Sequence, residues 1–73
     1  MSESKQTFYL NGHLRTLEEE KQITLRDLCQ ELKVGDRGYA VELNRAIVPR
    51  SEHANTVVQS GDTIEIVHMV GGG

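Results

Sequence analysis

Near the start of the chain the hydrophobic positions are typical of two short β-strands. Residues 7–10 form a short, aromatic and β-prone segment, and residues 13–17 are predicted to be the returning strand. Asn11-Gly12 between them is a strong hairpin signal, because both residues tolerate positive φ. A two-residue loop would set Phe8 opposite Arg15, an apolar side chain beside a charged one. A longer loop or a bulge would repair this register.

After a charged connection, the spacing of the apolar residues changes from that of a strand to that of a helix. Residues spaced i, i+3, i+4 and i+7 form one apolar stripe: Leu25, Leu28, Cys29 and Leu32. Thr24 stands at the N-cap position, and Asp27 completes a short-acid variant of the capping box. Gly35 fits the position just beyond the C-terminus. The pattern therefore predicts one amphipathic helix from about residue 25 to residue 34.

Three further strands are predicted after the helix. Residues 39–43 alternate as a strand should, and residues 46–48 form a short edge strand that Pro49 ends. Residues 50–56 are polar and predicted to be irregular. After a turn at Ser60-Gly61-Asp62, the last strand covers residues 63–70.

The element order is strand, strand, helix, strand, short strand, strand. One amphipathic helix needs one sheet face to cover it. The order predicts an α+β fold of the β-grasp, ubiquitin-like type, with a mixed sheet of four to five strands packed on the helix. A ferredoxin-like fold would need a second helix, which residues 50–56 are too short and too polar to supply. We expect a domain over residues 7–70 and a frayed N-terminus over residues 1–6.

The length, charge and cysteine content of the chain exclude several classes of function. The chain has 73 residues and a formal charge of −3, which predicts one domain too small to enclose a deep active site beside its core. A carrier, adaptor or binding module is expected rather than an enzyme. Negative charge without a run of Lys or Arg argues against nucleic acid. With a single cysteine and no long apolar segment, we expect a cytoplasmic protein without a membrane partner.

The remaining candidate side chains predict no chemistry of their own. Cys29 lies on the apolar stripe and is expected to be a buried, inert thiol. His13, His53 and His68 are too far apart in sequence for a usual metal-ligand pair, so no metal site is expected. His68 is predicted to be partly buried at the rim of the core. Without a phosphate-binding loop, the chain should bind no ATP, and we expect no catalytic residue.

The chain ends in three glycines, Gly71, Gly72 and Gly73. Glycine has no side chain to pack and loses much entropy on ordering, so residues 71–73 are expected to form a flexible tail. Such a backbone can thread a narrow channel. Its terminal carboxylate is ionised at neutral pH and is a poor electrophile until activated, commonly as an acyl-adenylate. The alternative interpretation is a frayed end with no function.

Two segments resemble a known family. Residues 58–73 read Val-Gln-Ser-Gly-Asp-Thr-Ile-Glu-Ile-Val-His-Met-Val-Gly-Gly-Gly, and residues 43–50 read Leu-Asn-Arg-Ala-Ile-Val-Pro-Arg. The first resembles the C-terminal signature of the thiamine-pathway sulfur carrier family, ThiS, in which a Gly-Asp turn leads an apolar strand into Gly-Gly. The second is similar to that family's Asn-containing turn and Val-Pro-Arg run. The similarity covers nearly all of the chain after residue 6.

The resemblance implies a mechanism and partners. A ThiF-type adenylyltransferase would activate the carboxylate of Gly73 with ATP, and sulfur ultimately from a cysteine desulfurase would convert it to a thiocarboxylate. A ThiG-type thiazole synthase would accept this sulfur during thiamine biosynthesis. Gly72 is the second glycine of the pair and Gly71 precedes it. The chain itself would be a protein cosubstrate with no bound cofactor, and ATP would be used by the adenylyltransferase.

Other interpretations stay open. A Gly-Gly ending is shared with the molybdopterin sulfur carrier and with ubiquitin-like modifiers, so the sulfur could instead serve molybdopterin or another sulfur-transfer route, or the tail could be conjugated to a lysine. A β-grasp domain with an inert tail would be a plain interaction module. The middle segment favours the ThiS family. On the last predicted strand, Val67 and Met69 point away from the face that carries Ile64 and Ile66. This outward apolar pair is a candidate docking surface for an activating enzyme.

Overall fold

The computed structural model describes residues 6–18, 20–35 and 38–68. Its strands and helices are β1 (Gln6–Leu10), β2 (His13–Leu17), α1 (Leu25–Glu31), β3 (Tyr39–Leu43), β4 (Ala46–Val48), a 3-10 helix (Arg50–Asn55) and β5 (Thr63–His68). The strands form one sheet in the order β2-β1-β5-β3-β4. β1 and β5 run parallel, and the other pairs are antiparallel. The predicted α+β fold with a mixed sheet on one α-helix is confirmed.

The β1–β2 hairpin has a plain two-residue loop. Phe8 pairs directly with Arg15, so the predicted repair by a longer loop or bulge is wrong. Arg15 makes this pairing acceptable because its guanidinium carbon lies 5.9 Å from the centroid of the Phe8 ring. The same guanidinium donates to the carboxylate of Glu31 on α1 at 2.7 Å. A long arginine stem can cover apolar surface while its charge stays near water.

The predicted start of α1 is confirmed. The backbone N–H of Asp27 donates to the Thr24 hydroxyl (3.1 Å), and the backbone N–H of Thr24 donates to the Asp27 carboxylate (2.9 Å). Both bonds of a capping box are therefore present.

The end of α1 differs from the prediction. The helix stops at Glu31 rather than at residue 34, and Lys33 rather than Gly35 adopts the left-handed conformation (φ 58°). Val34 then turns back and packs against the core. A Schellman motif closes the helix through two backbone hydrogen bonds, from Lys33 to the Gln30 carbonyl (3.1 Å) and from Val34 to the Cys29 carbonyl (3.2 Å).

The core lies between α1 and one face of the sheet. Its buried hydrophobic residues are Phe8, Leu10, Leu17, Leu25, Leu28, Cys29, Val41, Val58, Ile64 and Ile66. The predicted burial of Cys29 is thus confirmed. Leu32, the last residue of the predicted stripe, is half-exposed because the helix ends before it.

Residues 50–55 form a 3-10 helix, where the sequence predicts irregular chain. Its His53 is buried, and Nε2 of the ring is 2.9 Å from the Val48 carbonyl, which requires a proton on that nitrogen. His68, predicted to be partly buried, is exposed. The prediction for His68 is therefore wrong, and the buried histidine is His53 on the 3-10 helix.

Candidate functional site

β5 is the strand that leads toward the glycine tail, and it occupies the centre of the sheet. Ile64 and Ile66 on its inner face are buried, as the sequence predicts. Its last described residue, His68, pairs with Tyr39 on β3. Four candidate site residues, Met69, Gly71, Gly72 and Gly73, lie outside the described residues, and so does the proposed boundary at residue 70. Gln6, the last residue of the N-terminus predicted to be frayed, is instead the first residue of β1.

The start of β5 is held by a small polar network. Gly61 has a φ of +90°, which favours glycine. The Asp62 carboxylate accepts from the backbone N–H of Gln59 (2.8 Å) and from the side-chain amide of Asn44 (3.1 Å). The amide oxygen of Asn44 in turn accepts from the backbone N–H of Thr63 (2.9 Å). These bonds fix the point at which the strand begins.

Farther along, β5 loses its β1 neighbour. β1 pairs with β5 only through Leu10 and the residue before it, because the chain then turns back at Asn11-Gly12. Beyond this pairing, the side-chain oxygen of Asn11 replaces β1 as a hydrogen-bond partner of β5 and accepts from the backbone N–H of Ile66 at 2.8 Å. β3 supports the other edge as far as His68. The strand is thus held on both edges up to Ile66.

The outer face of the sheet, which α1 does not cover, carries Val67. This side chain is 44% exposed, as the sequence predicts for an outward residue, and Ala40 lies opposite it on β3. Glu42 and Glu65 face each other directly on the same side, and Ile47 is opposite Glu42 on β4 with 66% exposure. Directly opposed like charges destabilise a sheet. Sequence reasoning missed this acidic pair because the β3–β5 register joins residues far apart in the chain.

Cys29 has no sign of nucleophilic activation. Burial raises the pKa of its thiol, and the hydrogen bond with Tyr39 and the positive charge of Arg50 offset this only in part. Burial likewise raises the pKa of Tyr39. The Cys29 thiol is therefore neutral at physiological pH and packs as a small apolar group.

Membrane-spanning helices and metal clusters are both absent from the described ranges. No helix there has the length and apolar character needed to cross a membrane. Within the same ranges, no three His, Cys, Asp or Glu residues come together in a way that would hold a metal ion.

Comparison with protein families gives one family model, described as the ThiS family, that matches residues 8–73. Among curated proteins, the chain is 42% identical over 64 residues to a thiazole synthase from Paramagnetospirillum magneticum, covering 88% of this chain and 19% of that protein. It is 38% identical over 65 residues to a thiazole synthase from Magnetococcus marinus, covering 89% of this chain and 19% of that protein. The chain thus spans about a fifth of the length of both thiazole synthases.

A relative of similar size also matches. The chain is 36% identical over 50 residues to the sulfur carrier protein ThiS of Escherichia coli, covering 68% of this chain and 76% of that protein. Among solved structures, the crystal structure of a thiamine biosynthesis protein (ThiS) from Geobacter metallireducens superposes with a TM-score of 0.74 at 29% identity. That match covers 92% of this chain and 99% of the solved chain.

Proposed function

Because the chain belongs to the ThiS family, we propose that it is a sulfur carrier of thiamine biosynthesis and that Gly73 holds the sulfur. One observation carries the proposal: the family match runs through residue 73, and β5, the last strand before that residue in the sequence, is a central strand anchored on both edges. The resemblance found in the sequence is confirmed at the level of the family. In this proposal residues 7–70 form the body and residues 71–73 the arm that presents the reactive group.

The proposed chemistry takes place on the terminal carboxylate. A carboxylate oxygen of Gly73 attacks the α-phosphate of ATP, and pyrophosphate leaves. A sulfur nucleophile at the oxidation level of sulfide then attacks the acyl carbon, and AMP leaves, so that one oxygen is replaced by sulfur. Glycine suits both steps because it has no side chain to hinder attack. The chain supplies no catalytic group, and ATP is bound by the activating enzyme.

The proposed partners follow from this chemistry. A ThiF-type adenylyltransferase carries out the activation. A cysteine desulfurase supplies the sulfur indirectly as a persulfide, which a thiol reductant brings to the oxidation level of sulfide while the thiol is oxidised to a disulfide. A ThiG-type thiazole synthase accepts the sulfur. Two relatives named thiazole synthase contain a region similar to nearly the whole chain, which supports association with that enzyme. We place the carrier in the cytoplasm, where reducing conditions suit a thiocarboxylate and the unpaired Cys29.

The outer sheet face is the proposed docking surface. Val67 is exposed there beside Ala40, and the outward alternation of β5 continues in sequence to Met69. The opposed pair Glu42 and Glu65 lies one step away on the same face. A partner could place an apolar group against Val67 and a basic group against the two glutamates. The basic group would relieve the repulsion between the glutamates, so a docking role explains why both occur on this face.

Intact-mass measurement tests the proposal. After incubation with a ThiF-type adenylyltransferase, ATP and a sulfide source, we expect the mass gain of one oxygen-to-sulfur exchange. Deletion of Gly73 should abolish the gain without changing the melting temperature, while Cys29→Ala should retain it. No gain with the intact chain would leave an inert interaction module, and sulfur transfer to a molybdopterin synthase but not to thiazole synthase would reassign the pathway. A native chain that continues unprocessed past Gly73 would contradict the proposal.

A further inference from the structure

A cavity opens on the helix side of the sheet, away from Val67. Its volume is about 400 Å³, and it lies where α1, the 3-10 helix and the start of β3 meet. Cys29 and His53 form part of its wall, and Arg26 and Arg50 border it. The proposed sulfur chemistry gives this cavity no role.

The charge at the cavity is opposite to that of the whole chain. The chain carries a formal charge of −3, yet the cavity is lined by Arg26 and Arg50 and, in the described part of the chain, by no Asp or Glu. Within the described residues, neither guanidinium takes part in an ion pair, unlike Arg15 and Lys21. Two guanidinium groups at one opening favour an anionic occupant.

Arg50 is held in place at the cavity. Its guanidinium carbon lies 5.3 Å from the centroid of the Tyr39 ring, a cation–π distance. The 3-10 helix that begins with Arg50 is tied down by His53, which is buried and hydrogen-bonded to the Val48 carbonyl. A charge with an orientation fixed before binding loses less entropy when a partner arrives.

The cavity lies at the end of the sheet where the described part of β5 ends. Tyr39, which borders it, is the direct partner of His68 at the last described position of β5. Arg45 lies at the opposite end of β3, in the turn to β4. A protein that binds around the end of β5 therefore comes within reach of Arg50 but not of Arg45.

We propose that this cavity receives an acidic side chain of the enzyme that activates Gly73, an inference that rests on the proposed function. Arg26 and Arg50 are both exposed, so the cavity is an open recess. Small-molecule sites bury most of their ligand, whereas arginines that border an open recess are typical of protein interfaces, where arginine is enriched. The acidic side chain would complement the docking of Val67 on the other face.

Charge reversal with a matched control tests the inference. We expect Arg50→Glu to weaken binding of a ThiF-type adenylyltransferase by about tenfold to a hundredfold, and Arg26→Glu by less. Arg45→Glu introduces the same charge change at the far end of the sheet and should alter the dissociation constant by less than about twofold. Titration calorimetry gives the constants, and circular dichroism checks the fold. If Arg50→Glu is unfolded, Arg50→Gln replaces it.

The outcomes separate this inference from the proposed function. If the enzyme does not activate the unaltered chain, the proposed function fails. If it activates the unaltered chain and binds Arg50→Glu as tightly, only the cavity inference is overturned. Equal weakening by Arg50→Glu and Arg45→Glu would show long-range attraction instead of a local contact. Saturable binding of inorganic phosphate at micromolar concentration, with enzyme binding unaffected by Arg50→Glu, would assign the cavity to a small anion and also overturn the inference.

Discussion

The two hairpin turns of the sheet share one geometry but are built from different residues. The β1–β2 turn is Asn11-Gly12, with φ of 52° and 84°, and the β3–β4 turn is Asn44-Arg45, with φ of 53° and 75°. Positive φ at both central positions defines the type I′ turn that suits tight hairpins. Asparagine takes the first position in both turns, whereas the second is glycine in one and arginine in the other.

The two asparagines act on the same strand from opposite ends. β1 runs parallel to β5 and β3 runs antiparallel to it, so their turns lie at different ends of β5. Asn44 fixes the start of β5 through Thr63, and Asn11 holds the later part through Ile66. An asparagine that suits the backbone conformation of the turn thus also aligns the strand that leads to the glycine tail. The two turns differ in the exposure of these hydrogen bonds, because the bond of Asn11 is part-buried and those of Asn44 are exposed to water.

The largest effect is expected at Asn11. Asn11→Ala leaves the backbone N–H of Ile66 without a partner in a part-buried position and places alanine at positive φ, at a combined cost of about 2–4 kcal/mol in the free energy of unfolding. Urea denaturation measures it. Asn11→Gly keeps the turn and removes only the side-chain hydrogen bond, so its loss in the free energy of unfolding should be smaller than that of Asn11→Ala. An unchanged midpoint in Asn11→Gly would mean that this bond contributes nothing to stability.

A smaller effect is expected at Asn44. Asn44→Ala breaks the bonds to Thr63 and Asp62, but these are exposed, so water replaces them in part and the expected loss is about 1–2 kcal/mol. Asn44→Gly serves as the matched control. In thiocarboxylate formation, Asn11→Gly should be the more impaired of the two glycine variants, because Asn11 acts nearer the tail. Equal activity in both would argue against a positioning role for Asn11.

Gly12→Ala should cost about 1 kcal/mol. No atom lies within 4 Å of the position that the new Cβ would take, so the cost is conformational and not steric. Thermal unfolding followed by circular dichroism measures it. Gly12→Asn should cost less, because asparagine tolerates positive φ better than alanine does; a greater cost for asparagine would point to a contact with the added side chain.

The smallest effect, with the opposite sign, is expected at Arg45. Arg45→Gly removes the strain of a side chain at φ 75°, but glycine also gains entropy in the unfolded chain, so the net stabilisation should be at most about 1 kcal/mol. Urea denaturation of Arg45→Ala, which keeps the strain, should show no gain. Destabilisation by Arg45→Gly would show that the arginine side chain contributes a contact that outweighs its backbone cost.

Features fixed by neighbours along the chain were predicted well. The Asn11-Gly12 hairpin, the Thr24 capping box and the burial of Cys29 depend on φ preferences, short-range hydrogen bonds and helical periodicity, which are visible over a few residues. The family of the chain was also recognisable, because its turn and tail motifs are contiguous segments. The candidate site at Gly73 rests on such a segment.

Features that join distant segments were missed or misplaced. Arg15 reaches both Phe8 and Glu31, Glu42 meets Glu65, and Arg50 joins Arg26 at the cavity only after the sheet and helix have packed. Periodicity does not show which strands pair or in which register. Hence the burial of His53 and the exposure of His68 were decided by tertiary packing, as was the end of α1, where drawing Val34 onto the core outweighed the conformational preference for Gly35.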